Sequence, residues 1–395
     1  MIGKPETVWE FPVEGGLVLA RPESPVLFLL NSTAALLWHL FEELNDLPSV
    51  VAQFADLCSI SQDRAARDIE ATLQNWSQSI LRPDFRACSS VLHPSPSSPA
   101  FAAASLVDTY AINSSKFRLL FYDPELKAEL VPRLAPLRKA STASEPIVEI
   151  RLFRCNGAFY AVSHKVPTHG DSSCPEMLVS EPTANAARAA LLPELVRLAS
   201  PGRQWLCIVH AAACALGGRC LLLPARSHSG KTTLMAALMH EGFDFLCDDS
   251  AAIDRETSFA VPMPYALMVR EESWEVLRPR YPELTDLPIV SRNSEQVRFL
   301  TPRSMPGASG MRTEAMVFPK FVPGGAPALT RIDSFQTLLR LQESGFWTPH
   351  DQASIRTFLD WAQSVPAYDF QYSDLDQAVK QVRLLLQSPG LQPMG

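Results

Sequence analysis

The chain has 395 residues, of which 47% are hydrophobic, and it carries a formal net charge of −7 at pH 7. This length and composition predict two or three globular domains with substantial cores. The modest negative charge and the absence of a long basic run argue against a nucleic-acid surface, so any polyanion that binds should be small, such as a nucleotide. No run approaches the roughly 18 apolar residues of a membrane span, and no signal-peptide stretch opens the chain, which predicts a cytoplasmic protein without a membrane partner.

The first eighty residues predict strands followed by helices. The apolar runs within Leu17 to Leu30 are typical of a β-hairpin. Three helical patterns follow, and we expect Ser32 or Thr33 to cap the first and Ser61 to cap the third. This order predicts an N-terminal winged-helix-like α+β domain over residues 1–83.

The stretches "FLLNSTAALLWHLFEE" and "DIEATLQNWSQSIL" resemble the PqqD-like family, the peptide-recognition elements of ribosomal-peptide modification systems. The resemblance spans roughly Glu10 to Arg82 and implies that a precursor (leader) peptide adds as an extra strand, by β-augmentation. It points to Val26–Leu30 as the strand edge and to an exposed helix face that carries Arg64 and Asp68, with Arg67 beside them. The alternatives are a purely structural module and a DNA-binding winged helix, although the module has no basic recognition helix.

The middle of the chain contains a boundary and a second set of elements. Proline and serine replace periodic hydrophobic residues after Arg82, which predicts a Pro/Ser-rich linker over residues 84–100. Residues 101–202 combine strand-like and helical patterns, and Asn156-Gly157 between two apolar runs indicates a hairpin. We expect an α+β supporting domain here, and none of its residues is assigned a chemical role.

The stretch "LLLPARSHSGKTTLMAALMH" carries the strongest motif. It places Ser229-Gly230-Lys231-Thr232 between an apolar strand pattern and a helix pattern, where free backbone N–H groups and the helix dipole can meet a phosphate. The usual phosphate loop opens with a glycine, and here Ala225 holds that position. Strand, loop and helix together still predict a phosphate loop, and the alternative is a surface turn with a solvated lysine.

Two further features flank the loop. "WLCIVHAAACALGGRCLLLPA" predicts two strands joined at Gly217-Gly218, with His210 on the strand that pairs with the one feeding the loop. "FDFLCDD" predicts a strand that ends in Asp248 and Asp249, where one carboxylate can order Mg²⁺ and a second can accept a proton from an attacking hydroxyl. The alternatives are a core histidine and a pair of capping or solvated aspartates.

The order of histidine strand, hairpin, phosphate loop, helix and Asp-Asp strand end resembles the HPr kinase/phosphorylase family and its relatives. The resemblance covers about Arg203 to Asp254, reappears in "EAMVFPKFVPG", and implies an α/β P-loop (HPr kinase-like) domain over residues 203–395. The cofactors that it implies are ATP and Mg²⁺. The nucleotide-binding residues that it implies are Ser227, His228, Ser229, Gly230, Lys231, Thr232 and Thr233.

The same resemblance implies a role for each reactive side chain. Lys231 would hold the β- and γ-phosphates, and Thr232 with Asp249 would hold the metal. Asp248 would be the general base toward the acceptor hydroxyl, and His210 would orient or tune it. Phosphoryl transfer also needs positive charge for its transition state, and the candidates are Arg226, Arg270, Arg312 and Lys320.

A peptide-binding module tethered to a kinase raises the effective concentration of a weakly bound peptide. The chain is therefore interpreted as an ATP- and Mg²⁺-dependent kinase that phosphorylates a Ser or Thr hydroxyl of a ribosomally synthesised precursor peptide, as the resemblance to lasso-peptide and HPr kinases implies. The alternatives are a P-loop ATPase or chaperone that presents the peptide, a binding scaffold with a decayed nucleotide site, and a kinase for an HPr-like protein or a small metabolite. The HPr kinase resemblance also points to a homo-oligomer.

Overall fold

The computed structural model describes residues 7–44, 46–81, 104–112, 115–139, 148–165, 176–198, 200, 202–292, 295–303 and 310–387. The predicted linker, residues 84–100, lies outside these ranges. The chain divides into two compact units, and the first joins the N-terminal residues to Ile332–Leu339 and Pro349–Ser364. Two stretches that the sequence assigned to the C-terminal domain are thus part of the first unit.

The first unit opens with three antiparallel strands in the order β1-β2-β3, followed by three helices. These elements are β1 (Trp9–Val13), β2 (Gly16–Arg21), β3 (Ser24–Asn31), α1 (Ser32–Glu43), α2 (Leu47–Leu57) and α3 (Gln62–Gln78). Ser61 caps α3 as predicted. The cap of α1 is Asn31 and not Ser32 or Thr33, because the extended backbone at the end of β3 lets the Asn31 side chain accept from the Ala34 N–H at 2.9 Å.

The core of these six elements is centred on Trp38, whose side chain is almost fully buried. Its indole Nε1 donates to a Glu10 carboxylate oxygen at 2.8 Å, so the one polar atom of the ring is satisfied. The ring meets Trp76 of α3 edge-on, with centroids 5.5 Å apart. The pair ties the first helix to the third and to the first strand.

The second unit begins with a six-stranded sheet in the order β6-β4-β5-β7-β8-β9. Its elements are β4 (Leu106–Ile112), β5 (Ser115–Phe121), α4 (Pro124–Leu134), β6 (Arg138–Lys139), β7 (Val148–Cys155), β8 (Ala158–Lys165), β9 (Glu176–Glu181) and α5 (Ala184–Leu198). The predicted hairpin is confirmed, since Asn156 and Gly157 both adopt positive φ angles, 47° and 81°, between β7 and β8.

The rest of the chain builds a larger sheet of ten described strands and a three-stranded sheet, β16-β18-β17. The strands are β10 (Trp205–Val209), β11 (Ala211–Leu216), β12 (Arg219–Pro224), β13 (Asp244–Cys247), β14 (Ala251–Asp254), β15 (Phe259–Val261), β16 (Leu267–Arg270), β17 (Val290–Arg292), β18 (Glu295–Leu300), β19 (Met311–Phe321), β20 (Ala328–Ile332), β21 (Phe346–Trp347) and β22 (Ala367–Tyr372). The helices are α6 (Lys231–His240), α7 (Trp274–Leu277), α8 (Ser334–Ser344), α9 (Gln352–Ser364) and α10 (Leu375–Gln387). The mixed α/β architecture predicted from the sequence is confirmed.

The large sheet has the order β13-β11-β12-β19-β15-β14-β10-β21, and β22 lies between β19 and β20. Strand β12 and helix α6 are where the sequence predicted them, because Leu221 to Leu223 and the stripe of Leu234 and Leu238 are completely buried. No described helix is both long and apolar enough to cross a membrane.

The predicted strand through His210 is interrupted at that residue. The stretch before it, β10, pairs with β14 and β21, while the stretch after it, β11, pairs with β12 and β13. The backbone N–H of His210 leaves the strand ladder and donates to the Gly345 carbonyl at 2.8 Å. His210 therefore lies at the junction of two strands, where its side chain leaves the apolar core.

Candidate active site

The strand directions bring the predicted site residues to one edge of the large sheet. β11 is antiparallel to both β12 and β13, so the carboxyl ends of those two strands and the amino end of β11 share an edge. Residues 225–230 follow β12 and are called the candidate phosphate loop below; Asp248 follows β13, and His210 precedes β11. Local chain order and strand pairing are enough to gather them.

The candidate phosphate loop is held by the two strands beyond β12. β19 runs parallel to β12, and β22 runs parallel to β19. At their ends, the Phe321 N–H donates to the Ser229 carbonyl at 3.0 Å, and the Tyr372 hydroxyl donates to the Gly230 carbonyl at 3.0 Å. Gly230 has a φ of 90° and begins α6, so the free N–H groups of the first turn open toward the loop.

The two aspartates after β13 face different side chains. The Thr232 hydroxyl lies 3.2 Å from both carboxylate oxygens of Asp248 and donates to them. The Lys231 ammonium lies 3.5 Å from Asp249 Oδ1 and donates to it. Lys231 is buried although it is charged, and the Asp249 carboxylate is what compensates its desolvation.

His210 was expected to orient or tune Asp248, and the structure places its imidazole beside the adjacent Asp249. Its Nε2 is 3.6 Å from Asp249 Oδ1, and its Nδ1 is 3.1 Å from the Ser344 carbonyl. A carbonyl only accepts, so Nδ1 carries a proton and the ring orientation is fixed.

Two arginines reach Asp249 from the part of the chain that was assigned no chemistry. Arg133, at the end of α4, donates through Nη2 to Asp249 Oδ2 and lies 3.9 Å from Asp248 Oδ2. Arg188, in α5, has Nη1 3.7 Å from Asp249 Oδ2. The expectation that residues 101–202 only support the site is therefore wrong in this respect: they place two guanidinium groups at it.

The sequence does contain a signal for both arginines. Each sits on the apolar stripe of its helix, where a charged residue is rare unless it has a partner. The buried residues of α4 are Leu126, Leu130, Arg133 and Leu134, and those of α5 are Ala184, Ala187, Arg188, Leu191, Leu192, Leu195 and Val196. An arginine at a core position of an amphipathic helix thus indicates a buried anion elsewhere in the fold.

The environment drives the pKa values of the two aspartates apart. Burial raises the pKa of Asp248, and the neighbouring Asp249 charge raises it further, against the opposing effects of Lys231 and Arg133. Burial also opposes ionisation of Asp249, but Arg133 and Lys231 outweigh it, with His210 and Arg188 contributing, and hold the pKa of this carboxyl well below its usual range. The pKa values of these two neighbouring carboxyl groups are therefore shifted in opposite directions.

A cavity of about 1060 Å³ opens along this edge of the sheet. All seven predicted nucleotide-binding residues line it, and so do His210, Asp248 and Asp249. Thr233 lies beyond Lys231 on the first turn of α6, where its hydroxyl is 2.6 Å from that of Ser273. Ser227 is at the surface end of the loop, and His228 has an Nε2 3.5 Å from Glu295 Oε1.

The predicted sources of positive charge are mostly engaged elsewhere. Arg270 lines the cavity but pairs with Glu295 at 3.0 Å. Arg226 is largely exposed and pairs with Glu343 at 3.4 Å, while Arg312 is exposed at the start of β19. Lys320 is exposed and does not line the cavity. None of the four contacts Asp248 or Asp249 in the described part of the chain.

The residues predicted for peptide recognition lie in the first unit. Val26–Leu30 form part of β3, an outer strand of the three-stranded sheet. Arg64 and Asp68 are exposed on α3 and lie 3.7 Å apart as an i,i+4 ion pair. Arg67 is exposed on the same helix. The helix face that carries these three residues is therefore exposed, whereas the side chains of Val26–Leu30 are buried or partly buried.

Comparison with known proteins supports the reading of the N-terminal module. Residues 16–79 match the family model of PqqD, coenzyme PQQ synthesis protein D, which confirms the predicted resemblance over those residues. No curated protein matches the chain. The structure of the Hpr(Ser) kinase/phosphatase from Coxiella burnetii is similar at 9% sequence identity, covering 46% of this chain and 99% of that one, with a TM-score of 0.24, a value too low to support an argument about the fold.

Proposed function

We propose that this protein is an ATP- and Mg²⁺-dependent kinase that phosphorylates a serine or threonine hydroxyl of a ribosomally synthesised precursor peptide. The observation that carries the proposal is the convergence of Lys231 and Thr232, at the amino end of α6, on two aspartates at one cavity edge. A phosphate-binding helix start next to strand-terminal carboxylates is the arrangement that phosphoryl transfer from a nucleotide requires.

The nucleotide's phosphates bind at the candidate phosphate loop. Gly230 keeps the loop compact, since a Cβ there would lie 2.3 Å from the Tyr372 hydroxyl. The free N–H groups at the start of α6 and the Lys231 ammonium then supply donors and positive charge to the β- and γ-phosphates. Ala225 replaces the usual first glycine, and it is the buried first residue of the loop, directly after the end of β12.

The donor set fits a magnesium ion. Mg²⁺ prefers hard oxygen ligands and needs deprotonated carboxylates. The pKa of Asp249 is held low, which favours its ionised form, and the Thr232 hydroxyl at the start of α6 donates to the adjacent Asp248. Thr232 and Asp249 would hold the ion, which when bound neutralises the charge of the phosphates.

Asp248 acts as the general base. Its pKa is raised, so its carboxylate holds a proton more readily than an exposed aspartate does. The acceptor hydroxyl passes its proton to this carboxylate while its oxygen forms a bond to the γ-phosphorus. The bond from that phosphorus to the bridging oxygen breaks, and ADP leaves. His210 and Arg133 act on Asp249 and keep the ionised carboxylate in place beside Asp248.

The peptide is the proposed substrate because of the PqqD match over residues 16–79. β3 is the outer strand of its sheet, and an extended peptide would add beside it, by β-augmentation. Covalent linkage of this module to the catalytic unit raises the local concentration of the peptide's acceptor residue. A low intrinsic affinity of the cavity for the acceptor segment is then sufficient.

The test is phosphate transfer to peptides encoded by the neighbouring reading frames. Each peptide is incubated with Mg-ATP and the protein, and intact mass spectrometry follows a gain of about 80 Da per phosphate. Asp248→Asn should lower the rate by about 10² to 10⁴-fold, the range of general-base catalysis, while Mg-ATP binding persists. Asp360→Asn, at an exposed position of α9, is the matched control and should transfer phosphate as the wild type does.

The outcomes separate the proposal from its alternatives. ATP hydrolysis without a change in any peptide mass would contradict the kinase and indicate an ATPase that presents the peptide. No binding of Mg-ATP at millimolar concentration would contradict the nucleotide site altogether. Transfer that continues unchanged when residues 1–82 are removed would contradict the role of the N-terminal module.

A further inference from the structure

Arg188 is a buried cation in the cavity whose side chain has unused hydrogen-bonding capacity. It is 8% exposed and lines the cavity. Among the described residues its guanidinium makes one hydrogen bond, from Nη2 to Asn185 Oδ1 at 3.2 Å. Its Nε is 3.3 Å from Glu129 Oε2 without hydrogen-bond geometry, and its Nη1 only approaches Asp249, at 3.7 Å.

This state is costly for a guanidinium. Five N–H donors leave the water on burial, and donors without an acceptor keep their desolvation penalty. Burial lowers the pKa of Arg188 to about 10, and the positive charges of Arg133 and Arg292 contribute to the shift. The group is still protonated at neutral pH, so an additional anion in the cavity would be attracted to it.

We propose that Arg188 contacts the terminal phosphate of the bound nucleoside triphosphate, and that the Asp249 carboxylate holds the place of that phosphate while the site is free. The inference rests on the proposed nucleotide site and adds the source of positive charge that the sequence did not identify. On binding, Arg188 exchanges a long ion pair with Asp249 for charge-assisted hydrogen bonds to phosphate oxygens.

The terminal phosphate is specified by the position of Lys231. In a phosphate loop this lysine reaches the β- and γ-phosphates, and here it shares the Asp249 carboxylate with Arg188. Arg188 therefore lies where Lys231 meets Asp249, and we assign to it the terminal one of the two phosphates that this lysine reaches.

Arg133 is assigned a different task. Its side chain is fully buried, it donates directly to Asp249, and it is absent from the cavity lining. It is a positioning residue that stays with Asp249. Arg133 thus fixes the Asp249 carboxylate, and Arg188 is available to the nucleotide.

The experiment compares the binding of two nucleotides with the full-length protein by titration calorimetry. The probes are the β,γ-imido analogue of ATP, which is not hydrolysed, and ADP, each with Mg²⁺. Arg188→Ala should weaken binding of the analogue about tenfold to a hundredfold, the range for charge-assisted hydrogen bonds, and change ADP binding less than about twofold. Arg197→Ala is the matched control on the same helix, since Arg197 is half-exposed and pairs with Glu194.

A second variant keeps the test decisive if the alanine protein does not fold. Arg188→Lys retains the charge but loses the forked pair of donors, and it should lower affinity for the analogue by an intermediate factor, again without affecting ADP. Equal loss for both nucleotides, or no loss for either, in a folded variant would overturn the role of Arg188 and leave the proposed function standing. Failure of the wild type to bind either nucleotide would instead overturn the proposed function.

Discussion

The two adjacent aspartates should respond in opposite ways to the loss of their charge. Asp249→Asn removes the carboxylate that compensates Arg133 and Lys231, both of them buried. Asp248→Asn removes a charge that burial and its neighbour already disfavour, and it keeps an oxygen that can accept from the Thr232 hydroxyl. The two substitutions are isosteric and one residue apart, so each is the control for the other.

The change in the free energy of unfolding follows from which buried charge loses its partner. Breaking a buried ion pair by removing one partner costs about 3 to 5 kcal/mol, because the other charge stays buried without compensation. Asp249→Asn leaves Arg133 in that position and should lower the free energy of unfolding by about this amount at pH 7. Asp248→Asn should change the free energy of unfolding by less than about 1 kcal/mol, or raise it, because the repulsion between the carboxylates disappears.

The pH dependence of stability tests the sign of each aspartate's contribution a second time. The pKa of Asp249 is lower in the folded protein than in the unfolded chain, so its contribution to stability is complete above the unfolded value of about 3.9 and is lost as the pH falls through the folded value. The difference between wild type and Asp249→Asn should therefore shrink below about pH 4. For Asp248 the folded pKa is raised, so ionisation costs stability as the pH rises through it.

The assay is urea unfolding of wild type and both variants, followed by tryptophan fluorescence at a series of pH values, with midpoints and slopes compared. The reasoning is refuted if Asp248→Asn is the more destabilising variant, or if Asp249→Asn costs less than about 1 kcal/mol at pH 7. Either result would mean that Arg133 and Lys231 do not depend on the Asp249 charge.

Two further predictions concern the backbone and the thiols. Gly230→Ala should lower the free energy of unfolding by about 1 to 3 kcal/mol, because alanine is strained at a φ of 90° and its Cβ would lie 2.3 Å from the Tyr372 hydroxyl. Adding Tyr372→Phe should partly restore the midpoint of thermal unfolding. The absence of any recovery would exclude the clash. Cys247 should not react with iodoacetamide at pH 8 in the native protein, since burial raises the pKa of its thiol, whereas the partly exposed Cys58 should react. Peptide mass mapping measures the labelling of each cysteine. Equal labelling of the two would contradict the burial of Cys247.

The sequence was sufficient for features that depend on neighbouring residues. The apolar run before Ala225, the helix pattern after Gly230 and the strand ending in Asp248 all appear where they were predicted. These elements are set by hydrophobic periodicity and by residues with special backbone freedom, both of which are local properties. The match of residues 16–79 to PqqD confirms that the same kind of local pattern identified the N-terminal module.

The tertiary structure decided which charges meet. Arg133 and Asp249 are 116 positions apart in the chain, and only the tertiary structure joins them. The contact of His210 with Asp249 was likewise not predicted from the sequence, and its backbone N–H donates to Gly345, far along the chain. Periodicity shows which face of an element is buried, but the electrostatics of a buried site depend on distances between separate elements. The phosphate-loop motif could therefore be predicted from the sequence, and the balance of charges around it could not.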